Sequence, residues 1–229
     1  MRTSKQPRVH FSFRSPFSWM AISLLQQRSP TVHEWLEFIP FWDPDERTLA
    51  DLHAAGAEFH YTQMSKAKHL YILHDTRRQA ARLDLRMVWP IDDEPWWELP
   101  HLGYLLARKL GRGLEFYNSV TAARWERGEN VCEPSVLSKV AVEAGLDPTL
   151  ILAAPDSDEI RTEAAQCLVR AYHDDIFGIP YFRVSRHRFW GLDRLDDFLA
   201  ELSATTGTEP QPWGDLKVLA DTDTAGGCG

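Results

Sequence analysis

Cysteine is scarce in this chain: three in 229 residues, at Cys132, Cys167 and Cys228. No two of them form a C-x-x-C pair, so neither a disulfide framework nor a cysteine-based zinc site is expected. Positive charge is also short. Lys and Arg number 25 against 33 Asp and Glu, a formal net charge of −8. With no basic run either, nucleic acid is not an expected partner. No stretch approaches the roughly 18 apolar residues of a membrane span, and residues 1–20 lack the apolar centre of a secretory signal. The expectation is a cytoplasmic protein without a membrane partner. There is no G-x-G-x-x-G, P-loop, G-x-S-x-G or H-E-x-x-H. The nine histidines are scattered without ligand spacing, so core or surface roles are expected for them and no metal site.

Tryptophan is what the chain has in excess. There are nine, about one residue in 25, beside 11 Phe and 6 Tyr. That is enough aromatic area for a large core and for a pocket besides. Hydrophobic residues make up 44% and charged residues 25%, an ordinary globular composition.

Alternation of Val9, Phe11 and Phe13 with polar residues predicts a strand over 8–13. It runs into Ser15-Pro16, a natural N-cap and first helical residue, so a helix is expected to about Gln27. A second strand is expected at 33–41, which makes a βαβ unit with a parallel pair. Residues 65–89 contain no Gly or Pro and read as helix. A loop follows at 90–100. Helical spacing then recurs at 101–110, 114–127, 135–144 and 158–174. Gly178-Ile179-Pro180 signals a turn. Short strands at 181–184 and 188–190 and a last helix at 195–203 complete the pattern. After Thr205 the composition predicts a flexible tail. Strands at both ends with helices between them argue for a discontinuous α/β domain carrying an all-helical insertion. The expected boundaries are 1–62 and 169–205 for the two parts of the α/β domain, 63–168 for the insertion and 206–229 for the tail.

Four segments carry a family resemblance. F-S-F-R-S-P-F-S-W-M-A at 11–21, K-H-L-Y-I-L-H-D at 68–75, F-G-I-P-Y-F at 177–182 and F-W-G-L-D-R-L at 189–195 occur in order. Together they resemble the 2-hydroxychromene-2-carboxylate isomerases and kappa-class glutathione transferases. These are branches of the DsbA-like thioredoxin superfamily, so the resemblance implies a thioredoxin-like fold with a large helical insertion.

The redox members of this superfamily carry C-P-x-C at the turn where this chain has Ser15-Pro16-Phe17-Ser18. Two hydroxyls cannot exchange a disulfide. What survives is a helix N-terminus that favours an anion, with a hydroxyl able to donate to a bound thiolate. On its own residues Ser15 is equally an N-cap, Gly178-Ile179-Pro180 a turn, Asp193 a helix cap and Lys68 a solvated charge. The resemblance implies more. Ser15 would be catalytic, with Pro16 and Phe17 beside it in the thiol site. The Ile179–Pro180 bond would be cis, with the Ile179 backbone pairing with glutathione. Asp193 would meet its ammonium, and Lys68 a carboxylate. Leu192 and the loop 58–64 depart from the family pattern, so the thiol implied is glutathione, another low-molecular-weight thiol, or none. Cys132 and Cys167 are expected to be small core residues in helical regions.

The implied activity is a cis/trans isomerase of a conjugated C=C bond in a small unsaturated carbonyl or polyene. The alternatives are a kappa-type transferase or a non-redox binding module. A homodimer is an expectation at family level. Trp19, Trp42, Trp89, Trp96, Trp97 and Trp190 are expected to line a pocket for the flat conjugated substrate.

Overall fold

A computed structural model of the chain describes residues 6–60 and 65–206, without the side chain of Thr206. The expected tail and the greater part of the loop before Lys68 lie outside the described residues.

The first strand, β1 (Arg8–Phe11), ends two residues earlier than the alternation predicts. The Ser12 carbonyl instead accepts the Ser15 N–H at 3.1 Å, which turns the chain into helix α1 (Pro16–Arg28). A single-turn helix α2 (Val32–Trp35) occupies the first half of the segment expected to be extended, and β2 is confined to Glu37–Pro40. Helix α3 (Glu46–Ala54) follows, capped by the Asp45 carboxylate, which accepts the Thr48 N–H.

The next helix, α4, covers Lys66–Arg82 and not the whole of 65–89. Asp84 takes a left-handed φ of 54°. Beyond it Leu85, Met87 and Trp89 are half-buried while Arg86 and Val88 are exposed. That is period two, as in a strand. The three inward residues pack on a cluster around Trp125, and the Val88 N–H donates to the Trp125 carbonyl at 2.7 Å. Freedom from Gly and Pro therefore did not make a helix here, because the apolar pattern had changed period.

Helices α5 (Glu98–Lys109), α6 (Gly113–Thr121, continued by a π-helical turn over Ala122–Glu126), α7 (Pro134–Glu143), α8 (Pro148–Leu152) and α9 (Asp158–His173) complete the helical part. The boundary expected at 168 falls inside α9. Cys132 lies in the turn before α7 and not in a helix, whereas Cys167 lies in α9. Strands β3 (Tyr181–Val184) and β4 (His187–Trp190) and helix α10 (Leu195–Thr206) close the described chain.

The four strands form one mixed sheet in the order β2-β1-β3-β4. β1 is parallel to β2 and antiparallel to β3, and β3 is antiparallel to β4. Phe11 of β1 meets Tyr104 of α5 and Tyr117 of α6 edge-to-face at 5.3 and 5.1 Å. Phe182 of β3 stacks on Phe198 of α10 at 4.9 Å. One hydrophobic core thus runs from the sheet into the helical part, so the turn after β1 is held between the two. Arg8 and His10 contact Asp174, just after α9, and Arg183 of β3 reaches the same carboxylate.

Candidate active site

The turn Ser12–Ser15 leads from the central strand into α1. Ser15 has extended backbone angles, φ −92° and ψ 116°, and its Oγ accepts the Ser18 N–H at 3.2 Å. The N-cap role expected from the sequence is real. It leaves the Ser15 hydroxyl proton available to donate. Pro16 has no N–H, and the Ser18 N–H is taken by the cap. Among the described residues the Phe17 N–H has no acceptor. No acidic residue stands in the first turn of α1, so the positive end of the helix dipole is not neutralised from within the helix.

Beneath the turn lies His101 of α5, fully buried. Its Nδ1 is 2.7 Å from the Trp97 carbonyl, so Nδ1 carries the proton and donates it. Nε2 is then an acceptor, and it receives the Phe13 N–H at 3.2 Å. The Ser12 hydroxyl lies 3.2 Å from the same nitrogen and donates to it, while its oxygen accepts the Arg14 N–H at 3.2 Å. Burial pushes the His101 pKa down to about 3, so the ring is neutral at ordinary pH.

Beside the turn is a small cavity of about 20 Å³, room for one water. Ser12, Arg14, Trp42, Asp43, Trp97 and Ile179 contribute to its lining. Arg14 and Asp43 form an ion pair at its mouth, both partly exposed. Trp42 stacks on His101 at 5.1 Å. Ile179 precedes a cis peptide bond to Pro180, as the family resemblance implies. Neither the N–H nor the C=O of Ile179 has a partner among the described residues. Trp190 of β4 packs on Phe177 at 4.7 Å and lies over Gly178, and its indole N–H is buried without an acceptor among the described residues.

The two charged candidates lie on separate elements. Lys68 is half-buried in the first turn of α4, where its N–H reaches the Ser65 hydroxyl at 3.3 Å. Asp193 is exposed in a 3₁₀ turn (Leu192–Arg194) that packs against α1, and it pairs with Arg194 at 3.0 Å.

The six-indole pocket needs correction. Only Trp42 and Trp97 line the cavity beside the turn, and Trp190 adjoins the Ile179–Pro180 segment. Trp19 is almost fully buried and stacks on Trp125 at 6.1 Å, and Trp89 meets the same ring edge-on at 5.6 Å. Their apolar area is spent joining α1 to the helical part. Trp96 is exposed and lies under the Arg161 guanidinium, 6.0 Å from it. Counting aromatics cannot say which face each ring takes. Sequence reasoning also passed over Arg14 and His101. Arg14 could have been noticed as the cation next to Ser15, whereas nothing in the spacing of His101 marks it.

The two thiols among the described residues are poor nucleophiles. Burial pushes Cys132 up to about 12 and Cys167 up to about 11, so both stay protonated. Among the described residues no group of three or more His, Cys, Asp or Glu side chains is placed to hold a metal ion. Nor is any described helix long and apolar enough to cross a membrane.

This is a helix N-terminus with two hydroxyls in its first turn, beside a cis-proline segment. Comparison with known proteins identifies the fold family. The model of the DSBA-like thioredoxin domain matches residues 8–203. The chain belongs to this family. Over 189 residues it is 25% identical to a 2-hydroxychromene-2-carboxylate isomerase of Sphingobium xenophagum, covering 82% of this chain and 92% of that one. It is similar in fold to a solved 2-hydroxychromene-2-carboxylate isomerase, with a TM-score of 0.68, 20% identity and coverage of 87% and 95%. The cytosolic disulfide reductase DsbM of Pseudomonas aeruginosa, solved with GSH, shares the fold at a TM-score of 0.55 and 18% identity, with coverage of 88% and 99%.

Proposed function

We propose that this protein is an isomerase that interconverts the cis and trans forms of a conjugated C=C bond in a small unsaturated carbonyl or polyene, assisted by glutathione or another low-molecular-weight thiol. The Ser15 turn carries the proposal. It keeps an anion-holding helix end where the chain has no thiol of its own to ionise. The isomerase relative of similar length supports the reaction class.

Ser15, Phe17, Ile179 and the exposed Asp193 carboxylate suit a thiol peptide chemically. It carries a sulfur, a peptide backbone, an ammonium and carboxylates. When bound, the thiol would supply a nucleophile for reversible conjugate addition at the carbon β to the carbonyl, chemistry that moves the C=C electron pair onto the carbonyl oxygen, leaves a rotatable single bond and is reversed when the thiolate is expelled. Ser15 donates its hydroxyl proton to the sulfur anion, and the Phe17 N–H and the helix dipole favour the same charge. Ile179 offers its backbone N–H and C=O as an added strand would use them. Lys68 and Asp193 hold charged ends of the thiol. Arg14 faces the negative charge that develops on the substrate carbonyl, or a substrate carboxylate. We place this activity in the cytoplasm, in line with the composition and with the cytosolic DsbM relative.

The test is product mass. An aryl-substituted unsaturated keto acid is incubated with the protein and glutathione, and products are separated by liquid chromatography and mass spectrometry. A geometric isomer of unchanged mass is expected. A stable glutathione conjugate would replace this reading with a kappa-type transferase. No turnover with any thiol would favour a binding module.

A further inference from the structure

The turn that presents Ser15 is fixed by one side chain from the helical part. His101 spends its Nδ1–H on the Trp97 carbonyl, in its own helix. That leaves Nε2 as an obligate acceptor toward the Ser12–Phe13 backbone. Nε2 takes the Phe13 N–H directly, and the Ser12 hydroxyl bridges from Nε2 to the Arg14 N–H. The Ser12 carbonyl in turn holds the Ser15 N–H. Every residue from Ser12 to Ser15 is therefore bound to His101 directly or through one intermediary. The ring itself has little freedom to move. Trp42 stacks on it at 14° between planes, Phe13 lies 5.0 Å away, and Trp97 meets it edge-on at 6.1 Å. A buried acceptor with two donors cannot be removed without leaving those donors unsatisfied.

We propose that His101 is a positioning residue, which sets the Ser15 hydroxyl and the Phe17 N–H in register for the thiol. It touches neither thiol nor substrate. It acts through the Ser12–Ser15 backbone, and its value lies in preorganisation, since donors misplaced by a fraction of an ångström hold an anion poorly. This rests on the functional reading above.

The test uses the full chain and three substitutions. His101→Leu fills the site but removes the acceptor. His101→Gln returns an acceptor near the Nε2 position. Ser12→Ala removes the hydroxyl arm and leaves the Phe13 arm. Two measurements are made on each: hydrogen exchange at the Phe13 and Ser15 amides, and glutathione binding with the pKa of the bound thiol followed by thiolate absorbance.

His101→Leu is expected to lose exchange protection at both amides, to weaken glutathione binding about tenfold and to raise the pKa of the bound thiol. His101→Gln should recover most of each effect, and Ser12→Ala should show part of it. Rescue by Gln is the outcome that a merely space-filling role would not give. A folded His101→Leu with wild-type protection, affinity and thiol pKa overturns the proposal. If that variant does not fold, wild-type values in Ser12→Ala do the same. Wild-type protein that binds neither glutathione nor cysteine, coenzyme A or another low-molecular-weight thiol refutes the functional reading and not the clamp, which the exchange data then decide alone.

Discussion

Replacing Ser15 by Ala separates two jobs of one hydroxyl. As the N-cap of α1 its oxygen accepts the Ser18 N–H at 3.2 Å. Losing that bond costs about 1 kcal/mol of folding stability. As the donor to a bound sulfur anion its proton makes a hydrogen bond to a charged group, with a net strength of about 1.5–3 kcal/mol. At 1.36 kcal/mol per pKa unit, that raises the pKa of the bound thiol by about 1–2 units and weakens thiolate binding by roughly 10- to 150-fold. The two effects are read separately. Urea denaturation gives the stability, and thiolate absorbance against pH, on protein saturated with glutathione, gives the bound pKa. Both should change in Ser15→Ala. Ser15→Gly should change the second nearly as much and the first by only a few tenths of a kcal/mol, because glycine is tolerated as an N-cap. A variant that loses stability while the bound-thiol pKa stays at the wild-type value would show that Ser15 is a cap and nothing more.

The Asp174 carboxylate is mostly buried against Arg8, His10 and Arg183. Asp174→Asn leaves two guanidinium groups without their anion and should cost about 3–5 kcal/mol in urea denaturation; a loss below about 1 kcal/mol would refute that account. His10 and Arg8, outweighing the opposing cost of burial, hold the Asp174 pKa below its ordinary value. Its stabilising contribution is therefore complete above the unfolded carboxylate pKa near 3.9 and is lost as pH falls towards the folded value. Wild type should lose stability in acid more steeply than Asp174→Asn. Native Cys132 and Cys167, pushed to about 12 and 11, should resist iodoacetamide at pH 8, where about one part in a thousand or less is thiolate. Peptide mass spectrometry showing them labelled as fast as in urea would contradict this. In Gly178→Ala the new Cβ would lie 2.5 Å from the Trp190 indole nitrogen. The ring must move, at a cost of about 1–3 kcal/mol, with a shift in tryptophan fluorescence and weaker thiol binding; unchanged fluorescence and stability would show that the packing there is loose.

The order of elements was legible because each had its own local signal. Val9 and Phe11 alternate, Ser15-Pro16 opens a helix, Gly178-Ile179-Pro180 makes a turn, and Leu195, Phe198 and Leu199 share a face. Helix α3 has a local signal too, Asp45 ahead of Leu49 and Leu52, but no element is expected from the sequence between the second strand and residue 58. The extended segment after Arg82 was missed because the absence of breakers was taken for helix, while the alternation of Leu85, Met87 and Trp89 was the better guide. Of the candidate site residues, Ser15, Ile179 and Asp193 came from segments with recognisable neighbours. His101 had none, because its partners lie 88 and 89 positions away and only the fold brings them together. The indoles failed for a similar reason. Trp19 is one helical turn from Ser15 along α1, yet its ring turns to Trp125, where two buried aromatic surfaces cover each other.

The most direct test of the central claim is turnover of a conjugated unsaturated ketone or keto acid, followed by proton NMR, with the thiol present in catalytic amount. The coupling across the double bond should change from its cis to its trans value at constant substrate mass, only when thiol and wild-type protein are both present, and far more slowly with Ser15→Ala. Isomerisation at the same rate without thiol, or with Ser15→Ala, would contradict the account.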